Sequence, residues 1–325
     1  MVALAGVRRS ADRRGDTDNI LRYDRTTGAY KGVFASHPRL DSPYGIVADP
    51  AGRIYVGGGN TGSVVAFDGQ TGVALGFINL PQPEGGAYSG VGGFRNGRLY
   101  AGAVEPANAR TYLEGFQVDP FDGTSVPFLN STDAGVVVLT AGAFGPDGHY
   151  YTGSNDTDAI YRFDGTTGAF IGVFVVPGLG GLDNPQWLTF GPDNQLYVAS
   201  FVSNQILRYD GTTGAFLGAF GSGVTLDRPV SLAFGPDGNL YVADLGPGVG
   251  ARVWRFDGAS GAAVDLDGGG NAVPFILGDG SNPLDLSDVK GFLWITPVPE
   301  PGAALLPGAG AAVLLMLALR RRRPV

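Results

Sequence analysis

The sequence predicts an all-β fold: a six-bladed β-propeller closed by pairing of N- and C-terminal strands, followed by one C-terminal transmembrane helix. The first observation is a repeat of about 46 residues, with four short apolar runs separated by turn residues. The second is that the repeats are out of phase, since the chain opens with the second half of a repeat and the series closes with a first half. The third is an uncharged segment followed by arginines at the C-terminus. These features divide the chain into a disordered or mis-started leader at 1–18, a propeller at 19–297 and a tail at 298–325.

Each repeat contains two kinds of tight turn. Residues 236–238, Pro-Asp-Gly, lie between two apolar runs, and each of these three residue types favours chain reversal. The run at 240–243 combines aromatic, β-branched and small residues, as expected of a strand packed on both faces. A second reversal is predicted at 210–214, which is polar and glycine-rich. Four strands joined by such turns form one antiparallel blade.

The copies of the repeat predict six blades. An aromatic residue marks the second strand of each copy, at Tyr55, Tyr100, Tyr151, Tyr197, Tyr241 and Trp294. An aromatic–aspartate pair marks the third strand, at Tyr23-Asp24, Phe67-Asp68, Phe163-Asp164, Tyr209-Asp210 and Phe256-Asp257, with an irregular copy near Asp119. Pairing of residues near 20–34 with residues near 284–296 would complete one blade and remove the exposed edges of an open stack.

The composition limits the classes of partner and site. The chain has no cysteine, so it has neither disulfides nor thiolate ligands. The net charge is −8, and it is −11 without the four arginines and one glutamate of the tail. The predicted propeller therefore repels phosphate, and nucleic acid is not an expected partner.

The loops before each first strand and after each second strand fall on one face of a propeller. They carry aromatic, amide and charged groups, which suit sugar hydroxyls and the apolar faces of pyranose rings. The predicted ligand-face residues are Tyr44, Tyr88, Asn155, Asp156, Trp187, Arg228 and Asp244, together with Asp158 and Asn204. The alternative for Trp187 and Tyr88 is a place in the core between blades.

No metal and no cofactor is predicted. An Asp-x-Pro phrase precedes three of the first strands, at 41–43, 183–185 and 227–229, and repeated turn chemistry explains it better than a cation does. Residues 155–158 are acidic, but they lack the glycine and glutamate of a dedicated Ca²⁺ loop.

Binding is predicted in preference to catalysis. A metal-dependent lactonase or lyase propeller holds its metal in the central channel with Glu, Asp, Asn or His. His149 lies at a hairpin turn and His37 in a loop, and neither has a second ligand at suitable spacing. Glu84 and Glu105 are the best acidic candidates, although solvated loop carboxylates are the favoured interpretation. No catalytic residue is therefore predicted, and a lactonase- or lyase-like enzyme is the alternative.

The tail differs in kind from the repeats. Val298, Pro299, Glu300 and Pro301 form a stiff break, and no residue from Gly302 to Leu319 is charged. As a helix this segment would be about 27 Å long, against a hydrocarbon core of ~30 Å. Arg320, Arg321, Arg322 and Arg323 follow, and they should stay cytoplasmic, which places the propeller across the membrane. The alternative, a buried core helix, has no core to enter once the ring is complete.

Two resemblances rest on these phrases. The repeated GPDG, LYVAD and RYDGTTGAFLG segments resemble the NHL-type and gluconolactonase/streptogramin-lyase-like six-bladed propellers, over about 280 residues, and this scaffold serves many functions. The order Pro-Glu-Pro, apolar span and arginine cluster resembles the PEP-CTERM sorting signal of bacterial envelope proteins. The second resemblance implies export, processing near Pro299 by a membrane protease-transpeptidase of the exosortase type, and association with exopolysaccharide or biofilm matrix. It also implies an N-terminal signal peptide, which residues 1–18 do not show.

The predicted function combines these elements. We expect an exported, exosortase-sorted propeller of the cell envelope or extracellular matrix, acting as a non-catalytic binding or scaffold module. Its expected partners are the processing enzyme, the membrane through the C-terminal helix, and polysaccharide or another envelope protein. The propeller is expected outside the cytoplasm, with release into the matrix after processing as a further step.

Overall fold

The computed structural model describes residues 2–4, 19–41, 43–80, 88–104, 113–120, 123–130, 135, 139–246, 251–277, 292–295 and 313–318. The strands in chain order are β1 (Val2–Leu4), β2 (Asn19–Tyr23), β3 (Tyr30–Ser36), β4 (Tyr44–Ala48), β5 (Arg53–Gly57), β6 (Ser63–Asp68), β7 (Ala74–Asn79), β8 (Tyr88–Arg95), β9 (Arg98–Val104), β10 (Leu113–Val118), β11 (Ser125–Asn130), β12 (Leu139–Phe144), β13 (Tyr150–Ser154), β14 (Ala159–Phe163), β15 (Phe170–Val175), β16 (Pro185–Phe190), β17 (Leu196–Ser200), β18 (Gln205–Tyr209), β19 (Phe216–Phe220), β20 (Pro229–Phe234), β21 (Leu240–Asp244), β22 (Arg252–Phe256), β23 (Ile276–Leu277), β24 (Phe292–Ile295) and β25 (Val313–Ala318). One short 3-10 turn spans Leu179–Gly181.

The strands form an all-β propeller, as the sequence predicts. Four blades are antiparallel meanders of four strands: β4–β7, β12–β15, β16–β19 and β20–β23. Strands β8–β11 form a further meander, which joins the β4–β7 sheet through a parallel pairing of Tyr44 with Gly90. The remaining sheet contains β1, β24, β25, β2 and β3, so that N-terminal and C-terminal strands share one sheet.

The details of this last sheet differ from the sequence-based expectations. Strands β2 and β24 do not pair directly, because β1 and β25 each pair with both of them. Val2–Leu4, within the leader expected to be disordered or mis-started, form β1. Val313–Ala318, expected to be helical, form β25. An apolar strand beside an unpaired edge satisfies its backbone groups by pairing, and this competes with helix formation.

The described residues contain no helix long and apolar enough to cross a membrane. Most of the predicted span between Gly302 and Leu319 lies outside them, as do the four residues Val298, Pro299, Glu300 and Pro301. The arginine cluster, Arg320, Arg321, Arg322 and Arg323, lies outside them as well.

Burial is greatest in the second strand of a blade and least at the rim. In the β16–β19 blade the second strand, Leu196–Ser200, is buried along its whole length, whereas the fourth strand, Phe216–Phe220, is mostly exposed. The Tyr197 ring packs edge-on against Phe220 in its own blade and against Phe234 in the next, each with ring centroids 5.0 Å apart. Such edge-on pairs add to the burial of apolar area, so the blades are held together mainly by side chains of their inner strands.

Contacts between neighbouring blades return to their starting point. The first strands lie against one another in the order β4, β8, β12, β16, β20 and β24, and β24 lies against β4. At the rim, a glycine of each turn between third and fourth strands approaches the previous outer strand: Gly72 near Phe34, Gly123 near Ile78, Gly168 near Phe128, Gly214 near Phe174, Gly261 near Phe220 and Gly28 near Phe275. Gly214 shows why glycine is needed, since its φ is 74° and a Cβ there would lie 2.1 Å from the Phe174 carbonyl oxygen.

Candidate functional site

The alternation of strand directions gives the propeller two different faces. The hairpin face carries the turns between first and second strands and between third and fourth strands. The loop face carries the turns between second and third strands and the segments that precede each first strand. All the residues predicted to bind a ligand belong to the loop face, so its construction decides what they can do.

The last residue of a second strand fixes the segment that leads into its own first strand. In the β16–β19 blade, the Ser200 hydroxyl accepts a hydrogen bond from the Asp183 amide at 3.0 Å and donates to the Asp183 carbonyl at 3.1 Å. In the next blade, Asp244 takes the place of Ser200, and its Oδ2 accepts from the Asp227 amide at 2.9 Å. The two Asp-x-Pro segments are therefore built alike from different side chains.

A second bond joins each of these segments to the preceding blade. Asp158 Oδ1 accepts from the Asn184 amide, and Asn204 Oδ1 accepts from the Arg228 amide, both at 2.7 Å. All four residues have positive φ, between 53° and 59°. Left-handed backbone is tolerated by Asn and Asp but costs about 1–3 kcal/mol for a residue such as Arg. The bonds from the preceding blade help to hold Arg228 in that conformation.

Charged groups of the loop face between β16–β19 and β20–β23 bind one another. The Arg228 guanidinium donates to Asp227 Oδ1 at 3.1 Å and to the Gly246 carbonyl at 3.2 Å. Asp244 is completely buried, and it accepts from Arg252 Nε at 2.9 Å and from Trp254 Nε1 at 3.2 Å. Asp244 was predicted on the ligand face, but this prediction is wrong, because its carboxylate is enclosed and engaged by three structural donors.

Two aromatic residues meet at the centre of the loop face. Tyr44 begins β4 and Trp187 lies in β16, and these first strands are three places apart in the series of six, so they stand opposite each other. The two ring centroids are 6.2 Å apart with the planes tilted by 48°. Both residues are half-buried, and Trp187 also packs against the core cluster of the β16–β19 and β20–β23 blades. Trp187 therefore combines the two alternatives, a core contact and a partly accessible ring.

The other predicted residues differ from this aromatic pair in their surroundings. Asp156 is exposed and accepts from the Ser154 hydroxyl, and Asn155 beside it is half-buried. For Tyr88, in β8, only the backbone belongs to the described structure. Glu84 and Glu105 lie outside the described residues.

The two histidines take part in structural contacts. His37 Nδ1 accepts a hydrogen bond from the Arg39 amide at 3.1 Å. On the hairpin face, His149 Nδ1 lies 3.9 Å from the Asp164 carboxylate. Within the part of the chain that the structure describes, no three His, Cys, Asp or Glu side chains are grouped as metal ligands are.

One further residue, which was not predicted, brings its side chain from a second strand toward Tyr44. Tyr150, in β13, is buried, and burial and then the nearby Tyr44 raise the pKa of its hydroxyl. Its hydroxyl lies between two first strands, because a Cβ at Gly92 in β8 or at Gly142 in β12 would come within 2.8 and 2.6 Å of it. The sequence held a signal for it: the corresponding positions of the other blades are Ile54, Leu196 and Leu240, and only this copy has a tyrosine there.

The fold has known counterparts, although no protein-family model and no curated protein matches the chain. It is similar to a periplasmic gluconolactonase from Pseudomonas aeruginosa, with a TM-score of 0.56 and 15% identity over 82% of this chain and 81% of that one. It is similar to virginiamycin B lyase from Staphylococcus aureus, with a TM-score of 0.52 and 16% identity over 80% of this chain and 78% of that one. It is also similar to a chain of a nidogen/laminin complex, with a TM-score of 0.56 and 16% identity over 77% of this chain and 92% of that one. At such identities the likeness establishes the propeller fold alone.

Proposed function

We propose that this protein is a closed six-bladed propeller of the bacterial envelope or extracellular matrix that binds polysaccharide, or another envelope protein, through its loop face and does not catalyse. The observation that carries the proposal is the Tyr44–Trp187 pair at the centre of that face. Partly exposed rings surrounded by fixed polar groups suit the alternating apolar and hydroxylated surfaces of a sugar chain.

Six blades are supported by two independent series of contacts. The first strands adjoin in a series of six that returns to β4, and the six rim glycines form a second series in which Gly28 approaches Phe275. Deleting residues 1–35 would remove β1, β2 and nearly all of β3. We expect the truncated chain to lose a single cooperative urea transition, since an open ring exposes two sheet edges and part of a core. An unchanged transition would contradict closure by these strands.

The loop face is suited to binding because its polar groups are held in place before any ligand arrives. Asp158 and Asn204 fix the neighbouring segments through backbone amides, and Ser200 and Asp244 fix the same two segments from within their own blades. A preorganised surface loses little conformational entropy on binding. This rigidity makes the exposed side chains between the bonds, among them Trp187, usable as a recognition surface.

The direct test is binding of purified protein to soluble polysaccharides by isothermal titration calorimetry. We expect saturable binding that weakens about 10-fold or more in Trp187→Ala, since truncating a central aromatic residue of a binding surface costs about 2 kcal/mol or more. Phe216→Ala, on an exposed outer strand, is the control and should bind like the wild type. If no polysaccharide binds, the carbohydrate proposal fails.

Export and sorting are supported by the tail sequence. The Pro-Glu-Pro motif, the uncharged segment and the arginine cluster stand in the order that a sorting signal requires, with an exosortase-type protease as the expected partner. The apolar segment would engage the membrane until it is processed. Fractionation of host cells with mass spectrometry of the mature C-terminus tests this. We expect cleavage near Pro299-Glu300-Pro301 on envelope or matrix material, and an intact arginine end on cytoplasmic protein would refute it.

A metal-dependent lactonase or lyase remains the second candidate. The observation that favours it is the likeness to a gluconolactonase and to virginiamycin B lyase. An assay against lactones and cyclic esters with added divalent cations distinguishes the two functions. Saturable turnover that is lost in Glu84→Gln or Glu105→Gln would favour the enzyme, whereas binding without turnover favours the proposal above.

A further inference from the structure

We propose that the Tyr150 hydroxyl is a hydrogen-bond donor for a sugar oxygen at the centre of the loop face, and that this site selects neutral or amino sugars against acidic ones. The inference rests on the proposed carbohydrate-binding function. It names the class of sugar and the residue that would hydrogen-bond to it. It combines three observations: the path of the Tyr150 side chain, its unpartnered hydroxyl and the charges of the loop face.

The Tyr150 side chain reaches from a second strand to the innermost layer of the propeller. Its hydroxyl occupies the space that a Cβ would take at Gly92 or at Gly142, on the first strands of two adjacent blades. Gly142 stands where the corresponding positions of other blades have Ile46, Leu188 and Leu232. The missing side chain is thus what admits the phenol to the layer where Tyr44 and Trp187 lie.

The Tyr150 hydroxyl differs from those of the tyrosines one position along in the same kind of strand. Tyr55, Tyr151, Tyr197 and Tyr241 all donate to an aspartate of their own hairpin, at 2.7–3.1 Å. Tyr150 is only 7% exposed, yet none of the described residues hydrogen-bonds to its hydroxyl. Among the described residues, the buried side-chain atoms without a partner are Arg22 Nε, Thr140 Oγ1 and Ser231 Oγ, so the Tyr150 oxygen itself still reaches solvent. A sugar oxygen could therefore replace water as the acceptor of its hydrogen bond.

The protonation state of Tyr150 is suited to donation. Burial, with a smaller contribution from Tyr44, raises the pKa of the phenol well above its ordinary value. The hydroxyl is therefore a neutral donor throughout the physiological range of pH. An ether or hydroxyl oxygen of a sugar is an acceptor of suitable size beside the Tyr44 and Trp187 rings.

The charge of the surrounding face sets the preference among sugars. Asp41, Asp156 and Asp183 lie on the loop face with half-buried or exposed side chains. Among the described arginines of this face, Arg228 pairs with Asp227 and Arg252 with the buried Asp244, while Arg39 donates to Asn79 Oδ1. The described part of the face therefore carries more carboxylates than unpaired cations. This excess repels uronic acids and attracts protonated amines, so hexosamine chains should bind best and neutral chains next.

The test compares three hexasaccharides by calorimetry with the full chain: cellohexaose, deacetylated chitohexaose and hexagalacturonate. We expect the first two to bind at least 10-fold more tightly than the third at low salt. Tyr150→Phe should weaken cellohexaose binding about 10-fold, while its urea midpoint should stay near that of the wild type because no hydrogen bond inside the protein is lost. Gly92→Ala, which places a methyl group against the hydroxyl, should weaken binding to a similar extent.

The matched control is Tyr197→Phe, which removes a phenol that already has a partner, Asp193 at 2.9 Å. It should lower stability and leave the affinity unchanged. Equal affinity of Tyr150→Phe and wild type, or tighter binding of hexagalacturonate, would overturn the inference while leaving the proposed binding function intact. If the wild type binds none of the three sugars or any other polysaccharide, the proposed function fails and this inference fails with it.

Discussion

The two faces of the propeller are built by different means. On the hairpin face the same bonds recur from blade to blade: a second-strand tyrosine donates to an aspartate of the adjoining turn, as Tyr197 does to Asp193. An aspartate also closes the turn between third and fourth strands in five of the blades, as Asp210 does by accepting from the Thr212 and Thr213 amides. On the loop face, equivalent positions hold Ser154, Ser200 and Asp244, with different partners.

This difference between the faces indicates that the hairpin face is the repeated scaffold and that the loop face carries the candidate site. A ring needs the same turn in every blade to keep the strands in register, and so the hairpin face repeats. The loop face needs only some bond that fixes each segment, so different side chains can supply it and others become available for recognition. We expect substitutions on the hairpin face to change stability, and substitutions among the central loop-face residues to change binding.

The largest expected effect comes from Asp244, which lies at the loop face but should affect stability. Asp244→Ala leaves the Arg252 guanidinium, whose side chain is 16% exposed, without its carboxylate, and frees Trp254 Nε1. Removing one partner of a buried ion pair costs about 3–5 kcal/mol. Asp227→Ala, which opens the more exposed pair with Arg228, should cost about 1 kcal/mol or less. Urea unfolding of both variants measures the difference, and equal midpoints would mean that Asp244 is not a structural residue.

The next largest expected effect is a loss of stability when a glycine of the hairpin face is replaced by alanine. Gly214 and Gly238 have φ values of 74° and 79°, but only Gly214 faces a neighbouring backbone, whereas nothing lies within 4 Å of a Cβ at Gly238. Alanine at either position should lower the free energy of unfolding by about 1 kcal/mol, because it must adopt a left-handed backbone conformation. Gly214→Ala must also displace the Phe174 carbonyl, so we expect a total near 3 kcal/mol. Comparable losses in the two variants would show that the contact between blades yields easily.

A smaller effect separates the two kinds of tyrosine. Tyr197→Phe removes a hydrogen bond to Asp193 on the hairpin face and should lower the free energy of unfolding by about 1 kcal/mol. Tyr150→Phe removes no bond among the described residues, so its free energy of unfolding should stay within about 0.5 kcal/mol of the wild type. Chemical denaturation followed by tryptophan fluorescence measures both. A large loss in Tyr150→Phe would identify its hydroxyl as structural.

The smallest expected effect is a dependence of stability on pH that comes from the hairpin face. Hydrogen bonds from the Thr213 hydroxyl and from the Thr213 and Thr212 amides hold the pKa of Asp210 below its ordinary value of 3.8. The unfolded chain therefore binds the proton first as pH falls, and the stability from this turn is present above about pH 4 and lost below it. Asp24, Asp68, Asp164 and Asp257 are shifted in the same direction.

Thermal midpoints between pH 7 and pH 3 check this expectation. They should change little from pH 7 to 5 and fall below pH 4, because the turn carboxylates titrate there. Asp210→Asn keeps a side-chain acceptor in the turn and cannot titrate, so its midpoint should fall less steeply. If the wild type and Asp210→Asn lose stability in parallel, the turn aspartates do not govern the acid range.

The amino-acid sequence by itself determined the strands, the turns and their repetition. Those signals are local: a turn such as Asp210 to Gly214 follows from the conformational preferences of adjacent residues, and a strand such as Leu196–Ser200 follows from a short apolar run. Strand alternation also predicted the loop face for Trp187, but the sequence left open the alternative of a place in the core between blades.

Only the tertiary structure decided which side chains meet. Tyr44 and Trp187 come from opposite blades, and Tyr150 passes between two first strands that the sequence separates widely. The same holds for Asp244, whose polar type predicts exposure but whose carboxylate is enclosed by Arg252 and Trp254. For Val313–Ala318 an apolar run fits both a helix and a strand, and the open edges of β2 and β24 favour the strand. Contacts of this kind depend on how the ring closes, and no spacing along the chain records that geometry.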